Sequence, residues 1–145
     1  MSFSFLLFFI LAAGPSCLAE VQIPPEPLKG IAGLNKAIKI QQETGKPIIL
    51  WSTWNTCPNT RKVSKWFASP QVTSSLKDFP KVILESKGNN DEVLESEMRG
   101  FVGGMFYVIK DYNFSPDIYT AVWAWEKGTY KIKKDLLDQL KSLVR

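Results

Sequence analysis

Residues 45–72 read GKPIILWSTWNTCPNTRKVSKWFASPQV, and the order of features in this stretch decides the fold. Pro47 to Trp54 is an apolar run rich in strand formers. It is too short for a helix of its own and is predicted as a buried central strand. Asn55 to Thr60 forms a turn, with Pro58 just inside the start of the next element, where its missing N–H costs little. Val63, Trp66 and Phe67 then fall on one side of a predicted helix. Ser69-Pro70 breaks that helix, and QVTSSLKDF continues as a short helical piece.

Working outward, apolar residues at 31, 34, 37, 38 and 40 fall at helical spacing, and Gly45 stops the run after Thr44. Downstream, Pro80 to Ser86 reads as a second buried strand. The polar stretch Lys87 to Arg99 contains an acidic helical turn around Val93, Leu94 and Met98. Gly103-Gly104 precedes MFYVIK, a third strand; Asp111 to Pro116 turns; and Ile118 to Trp125 alternates as a fourth strand. Residues 131–144, with apolar positions at 132, 136, 137, 140, 143 and 144, are predicted as a closing amphipathic helix. A βαβ unit makes a parallel pair, and the ββα end adds an antiparallel hairpin and a covering helix, so the class is α/β.

The composition narrows the chemistry. The chain has 145 residues, 45% hydrophobic and 22% charged, which is ordinary for one globular domain. It contains no histidine and two cysteines. Histidine-based triads and zinc sites are therefore excluded, and two cysteines are too few for an all-cysteine zinc cluster. Eighteen basic against fourteen acidic side chains give a charge of +4, read as a solvated basic surface with no nucleic-acid partner.

The ends of the chain carry a different signal. Phe3 to Ala13 is nearly continuous apolar sequence, shorter than the roughly 18 residues that span a bilayer. Gly14-Pro15 follows, and Cys17 and Ala19 supply small residues before Glu20, so residues 1–19 are expected to be a secretory signal. A lipidated Cys17 is the alternative. Residues 20–30 hold three prolines and read as an extended arm, leaving 31–145 as the domain. Ser142 to Arg145 does not resemble a lumenal retention signal, so a periplasmic or secreted protein without stable membrane insertion is expected.

Cys57 stands between the predicted strand and helix. A cysteine at a helix N-terminus faces unpaired backbone N–H groups and the positive end of the dipole, which favour thiolate. Thr60 lies one turn on, where its hydroxyl can donate to sulfur, and Arg61 and Lys62 are close in sequence. The competing reading is a small apolar cysteine packed under the helix.

The quoted stretch resembles the thioredoxin-like segment of secreted bacterial disulfide-handling proteins. There a Lys-Pro pair opens the strand, a Trp precedes a Cys-x-x-Cys turn, and a Ser/Asp-Pro-x-Val signal follows the helix. The counterparts are Lys46-Pro47, Trp54, Cys57-Pro58-Asn59-Thr60 and Ser69-Pro70-Gln71-Val72, within a match from about Ile31 to Asp111. The resemblance implies a three-layer sandwich, a central mixed sheet of about four strands flanked by helices. It also implies Cys57 and Thr60 as the reacting site, a client surface at Trp54, Pro58, Gly104 and Met105, and neither metal nor cofactor.

Departures from the family pattern limit that chemistry. Thr60 replaces the second cysteine, so the site cannot hold an internal disulfide. Asn55-Thr56 look like extra residues between Trp54 and the thiol. Met105 falls where the family has a cis-proline, and a trans bond is expected there because the cis form costs about 2.5–4 kcal/mol. No Asp, Glu, Lys or His occurs between Pro47 and Thr60, so the strand offers no buried proton acceptor. Of the tryptophans, Trp51 and Trp123 are expected in the core, Trp54 on the client surface, and Trp125 half exposed. Two readings follow: thiol–disulfide exchange through one cysteine with client thiols or a partner redox protein, or a thioredoxin-fold binding module without redox activity. A peroxiredoxin is disfavoured, because Thr53 lies four residues before Cys57 rather than three.

Overall fold

A computed structural model describes residues 20–54, 58–86, 104–110 and 119–145. The expected signal at 1–19, the turn 55–57 with Cys57, the stretch 87–103 and the turn 111–118 lie outside the described residues.

Among the described residues, seven strands and four helices follow in the order β1 (Leu28–Lys29), α1 (Gly30–Thr44), β2 (Ile48–Trp54), α2 (Pro58–Phe67), α3 (Pro70–Ser75), β3 (Lys81–Ser86), β4 (Met105–Ile109), β5 (Tyr119–Ala121), β6 (Trp123–Glu126), β7 (Thr129–Ile132) and α4 (Leu136–Leu143). The main sheet has the order β1-β3-β2-β4-β5. β1, β3 and β2 are parallel, while β4 and β5 run antiparallel to their neighbours. The first three expected strands are present as β2, β3 and β4. β1 adds a two-residue edge, drawn from the end of the proline-rich arm.

Strand pleating sorts the core into two layers. On β2, β3 and β4, Ile48, Leu50, Val82, Leu84, Tyr107 and Ile109 face α1, where they meet Leu34, Ala37 and Ile38. The alternate residues Ile49, Trp51, Ile83, Phe106 and Val108 face the other way. There they meet Val63 and Phe67 of α2, Val72 of α3, and Leu136 and Leu140 of α4. Sheet and helices therefore form three layers. Phe106 centres the second core: its ring lies 4.8 Å from Trp51, 4.9 Å from Phe67 and 6.0 Å from Trp66, the last two edge-on. Such edge-on pairs satisfy the ring quadrupoles.

Two predicted elements need correction at the C-terminal end. The strand expected over Ile118–Trp125 is two strands in different sheets: β5 pairs with β4, whereas β6 pairs only with β7. The chain leaves the main sheet at Val122, whose side chain is fully buried in the α2-side core and whose carbonyl accepts from the Lys133 N–H at 2.9 Å. The helix expected over 131–144 starts later, at Leu136, because Thr129–Ile132 turn back as β7. Lys127 and Gly128 make that turn, both with positive φ (49° and 79°), as a two-residue hairpin loop requires. In Tyr130-Lys131-Ile132, alternation and helical spacing are compatible with the same residues, and pairing with β6 decides between them.

Lys81 opens β3 with its side chain fully buried. Its ammonium donates to the carbonyls of Leu76 and Phe79, each at 3.0 Å, in the turn that follows α3. Burial pushes its pKa below the ordinary 10.5, against the opposing pull of Glu26 and Asp78.

Two measurements check this packing. Phe106→Ala removes the ring shared by three aromatic neighbours and is expected to cost about 3–5 kcal/mol in urea unfolding. For Lys81, the unfolded chain holds more protons between the lowered native value and 10.5, so stability rises with pH in that window. Urea unfolding from about pH 7 to about pH 10 should show wild type gaining on Lys81→Met as pH increases. A pH-independent difference between the two proteins would contradict the assignment.

Candidate functional site

β2 and β3 run parallel, and their carboxyl ends open at one edge of the sheet. β4 begins at that same edge, because Met105 pairs with Ser52, and β5 ends there, because Ala121 pairs with Met105. Trp54, Pro58, Gly104 and Met105 are brought together at this edge by backbone topology alone. Open α/β sheets bind their ligands at such an edge.

α2 starts at Pro58, the residue after Cys57. Pro58 and Asn59 are exposed, as are Arg61 and Lys62. The first turn of α2 has no acidic side chain of its own to offset the positive end of the helix. Thr60 is buried, on the same face as Val63 and Phe67, at positions i, i+3 and i+7. The position of a second thiol is thus occupied by a β-branched side chain turned toward the sheet.

A polar contact ties α2 to β2. Trp51 is fully buried, and its Nε1–H donates to Ser64 Oγ at 3.0 Å. The Ser64 hydroxyl in turn donates to the Thr60 carbonyl at 3.2 Å. A serine inside a helix often bonds back to the carbonyl four residues earlier, and here that geometry leaves its oxygen free to accept the indole proton. Sequence reading identified Trp51 as core but not Ser64 as its partner; the signal was the i, i+4 relation between Thr60 and Ser64.

The loop entering β4 is held to β2 as well. Gly104 has φ +85° and donates its N–H to the Ser52 carbonyl at 2.7 Å. Residues with side chains rarely adopt this φ, which accounts for glycine at the position. No cis peptide bond occurs among the described residues, so the Gly104–Met105 bond is trans. The Met105 side chain packs against the α1-side core, and Tyr107 Oη donates to its Sδ at 3.9 Å. It is therefore turned to the face opposite α2, and at this position only the backbone adjoins β2.

Opposite Thr53 in the strand register lies Glu85, whose side chain is exposed. It is a carboxylate from outside β2 at this edge of the sheet, in contact with solvent rather than buried. Trp66 is half-buried and packs edge-on against Phe106, while the side chains of Trp54, Trp123 and Trp125 lie outside what is described. Among the described residues no cluster of acids or cysteines is arranged to hold a metal, and no helix is long and apolar enough to cross a membrane.

No protein-family model matches the chain, and no curated protein sequence matches it. Among solved structures it is similar to a thioredoxin from Thermus thermophilus, determined in solution. The two superpose with a TM-score of 0.50 over 81% of this chain and 86% of the other, at 12% sequence identity. At that identity the likeness concerns the fold, and together with the strand order β1-β3-β2-β4-β5 it makes the architecture thioredoxin-like α/β.

Proposed function

We propose that this chain is a secreted or periplasmic thioredoxin-like protein that exchanges disulfides with client proteins through the single thiol of Cys57. The observation that carries the reading is α2 beginning at Pro58, the residue that follows Cys57 in sequence, with no acidic side chain in its first turn. The helix end and the neighbouring Arg61 and Lys62 favour the thiolate.

In the proposed cycle the Cys57 thiolate attacks one sulfur of a client disulfide. A bond forms between Cys57 and that sulfur while the client's own S–S bond breaks, and the released client thiolate takes a proton from solvent. A second client thiolate then attacks the client sulfur of the mixed disulfide and frees Cys57. No electrons are gained or lost overall, so the client's disulfides are rearranged rather than made or removed. Buried Thr60 suits this chemistry: with no thiol at that position, release of the mixed disulfide falls to the client or to a partner redox protein. Neither cofactor nor metal enters the cycle.

Two experiments test the reading. The thiolate absorbance of Cys57 should titrate below the ordinary thiol value of about 8.5, and mixing with an unfolded secretory protein that carries disulfides should give a mixed-disulfide adduct that reductant removes and Cys57→Ser abolishes. An ordinary pKa with no adduct would leave the second reading, a binding module that has lost redox activity. Conversely, Thr60→Cys recreates Cys-x-x-Cys at the helix start. It should let the protein form an internal disulfide and reduce insulin with dithiol kinetics, whereas wild type should not.

A further inference from the structure

A groove of about 530 Å³ opens between α2–α3 and the segment joining β7 to α4. Three apolar side chains, Trp66, Ile132 and Leu137, line part of it while resting half-buried on the α2-side core, beside the polar Gln71 and Ser75 of α3. Its rim carries Lys133, Lys134 and Lys141 against a single carboxylate, Asp138. Asp138 lies 4.0 Å from the Lys141 ammonium and is 83% exposed, a contact too loose and too well solvated to neutralise the rim. Leu137 and Lys141 stand four apart on α4, so one helix face offers the groove both an apolar contact and a charge. The site edge is elsewhere: Trp66 lies eight residues beyond Pro58 on α2, about 12 Å at 1.5 Å per residue.

We propose that this groove docks an acidic peptide segment of a partner protein. A bulky apolar side chain of the segment rests on Trp66 and Leu137, and its carboxylates meet the three lysines. The complementarity is of charge and of shape. Three ammonium groups around an indole floor attract carboxylates, while the concave volume is of the size that encloses a few side chains. A bilayer surface or a duplex offers anionic charge without a side chain to fill the hollow. Indole floors of this kind supply much of the binding energy at interfaces, and rim charges set encounter rate and salt dependence.

The test uses a fluorescein-labelled Glu-Glu-Leu-Glu-Glu-Leu-Glu-Glu peptide and fluorescence anisotropy with the full domain at low ionic strength. Saturable binding is expected, weakening at least about tenfold in Lys134→Glu/Lys141→Glu and falling with added salt. Leu137→Ser, checked for folding by circular dichroism, should weaken it as well. Lys36→Glu/Lys39→Glu, on the exposed face of α1, should bind as wild type does. Cys57→Ser should also bind unchanged, which separates this inference from the thiol chemistry. The proposal is overturned by absence of saturable binding, by equal binding to the rim-reversed protein, or by equal binding of a peptide with serine in place of leucine. Tighter capture of phosphatidylserine vesicles or of an oligonucleotide by the same lysines would overturn it too.

Discussion

A buried indole N–H must find an acceptor, and Trp51 finds one in Ser64 across the gap between β2 and α2. That requirement sets where α2 sits on the sheet. Because Ser64 also donates to the Thr60 carbonyl, the first two turns of the helix are tied to the middle of the central strand. Phe106 completes the arrangement, since its ring packs on Trp51 of the strand and on Trp66 and Phe67 of the helix at once. The seating of α2 on the sheet follows from this packing.

The same packing separates the two faces of the site edge. Thr60 is drawn under α2 with Val63 and Phe67, so the residue that takes the second thiol's place contributes to the core. Met105 begins a strand whose pleat sends its side chain to the α1 layer, leaving the trans backbone and the Gly104–Ser52 hydrogen bond to shape the edge. Pro58 and Asn59 are exposed at the start of α2, beside the exposed Arg61 and Lys62, and the carboxylate of Glu85 is in solvent.

Much of the architecture was legible in sequence. The run Pro47 to Trp54 announced a strand buried on both sides, Pro58 and Ser69-Pro70 marked where helices begin, and the spacing in 31–44 marked α1. The C-terminal quarter was not, for a definite reason. Val122 continues the alternation of its neighbours and yet sends its carbonyl to Lys133, while Ile132 fits a helical stripe and yet pairs with Trp123. Residues with two compatible periods are assigned by their partners, and the partners are distant in sequence. Lys81 escaped notice in the same way: a lysine at a strand start looks exposed until the turn after α3 brings two carbonyls to it.

By itself the sequence determined what chemistry was open: no histidine, one cysteine beyond residue 19, and threonine where a second thiol would stand. These are facts of composition that no folding can alter. Only the tertiary structure decided which residues share an edge, which face Met105 serves, what satisfies Trp51, and that a groove lined by Trp66, Leu137 and three lysines lies between α2–α3 and α4. Each depends on contacts between segments far apart in the chain, and local propensity carries no information about those until hydrophobic burial brings the segments together.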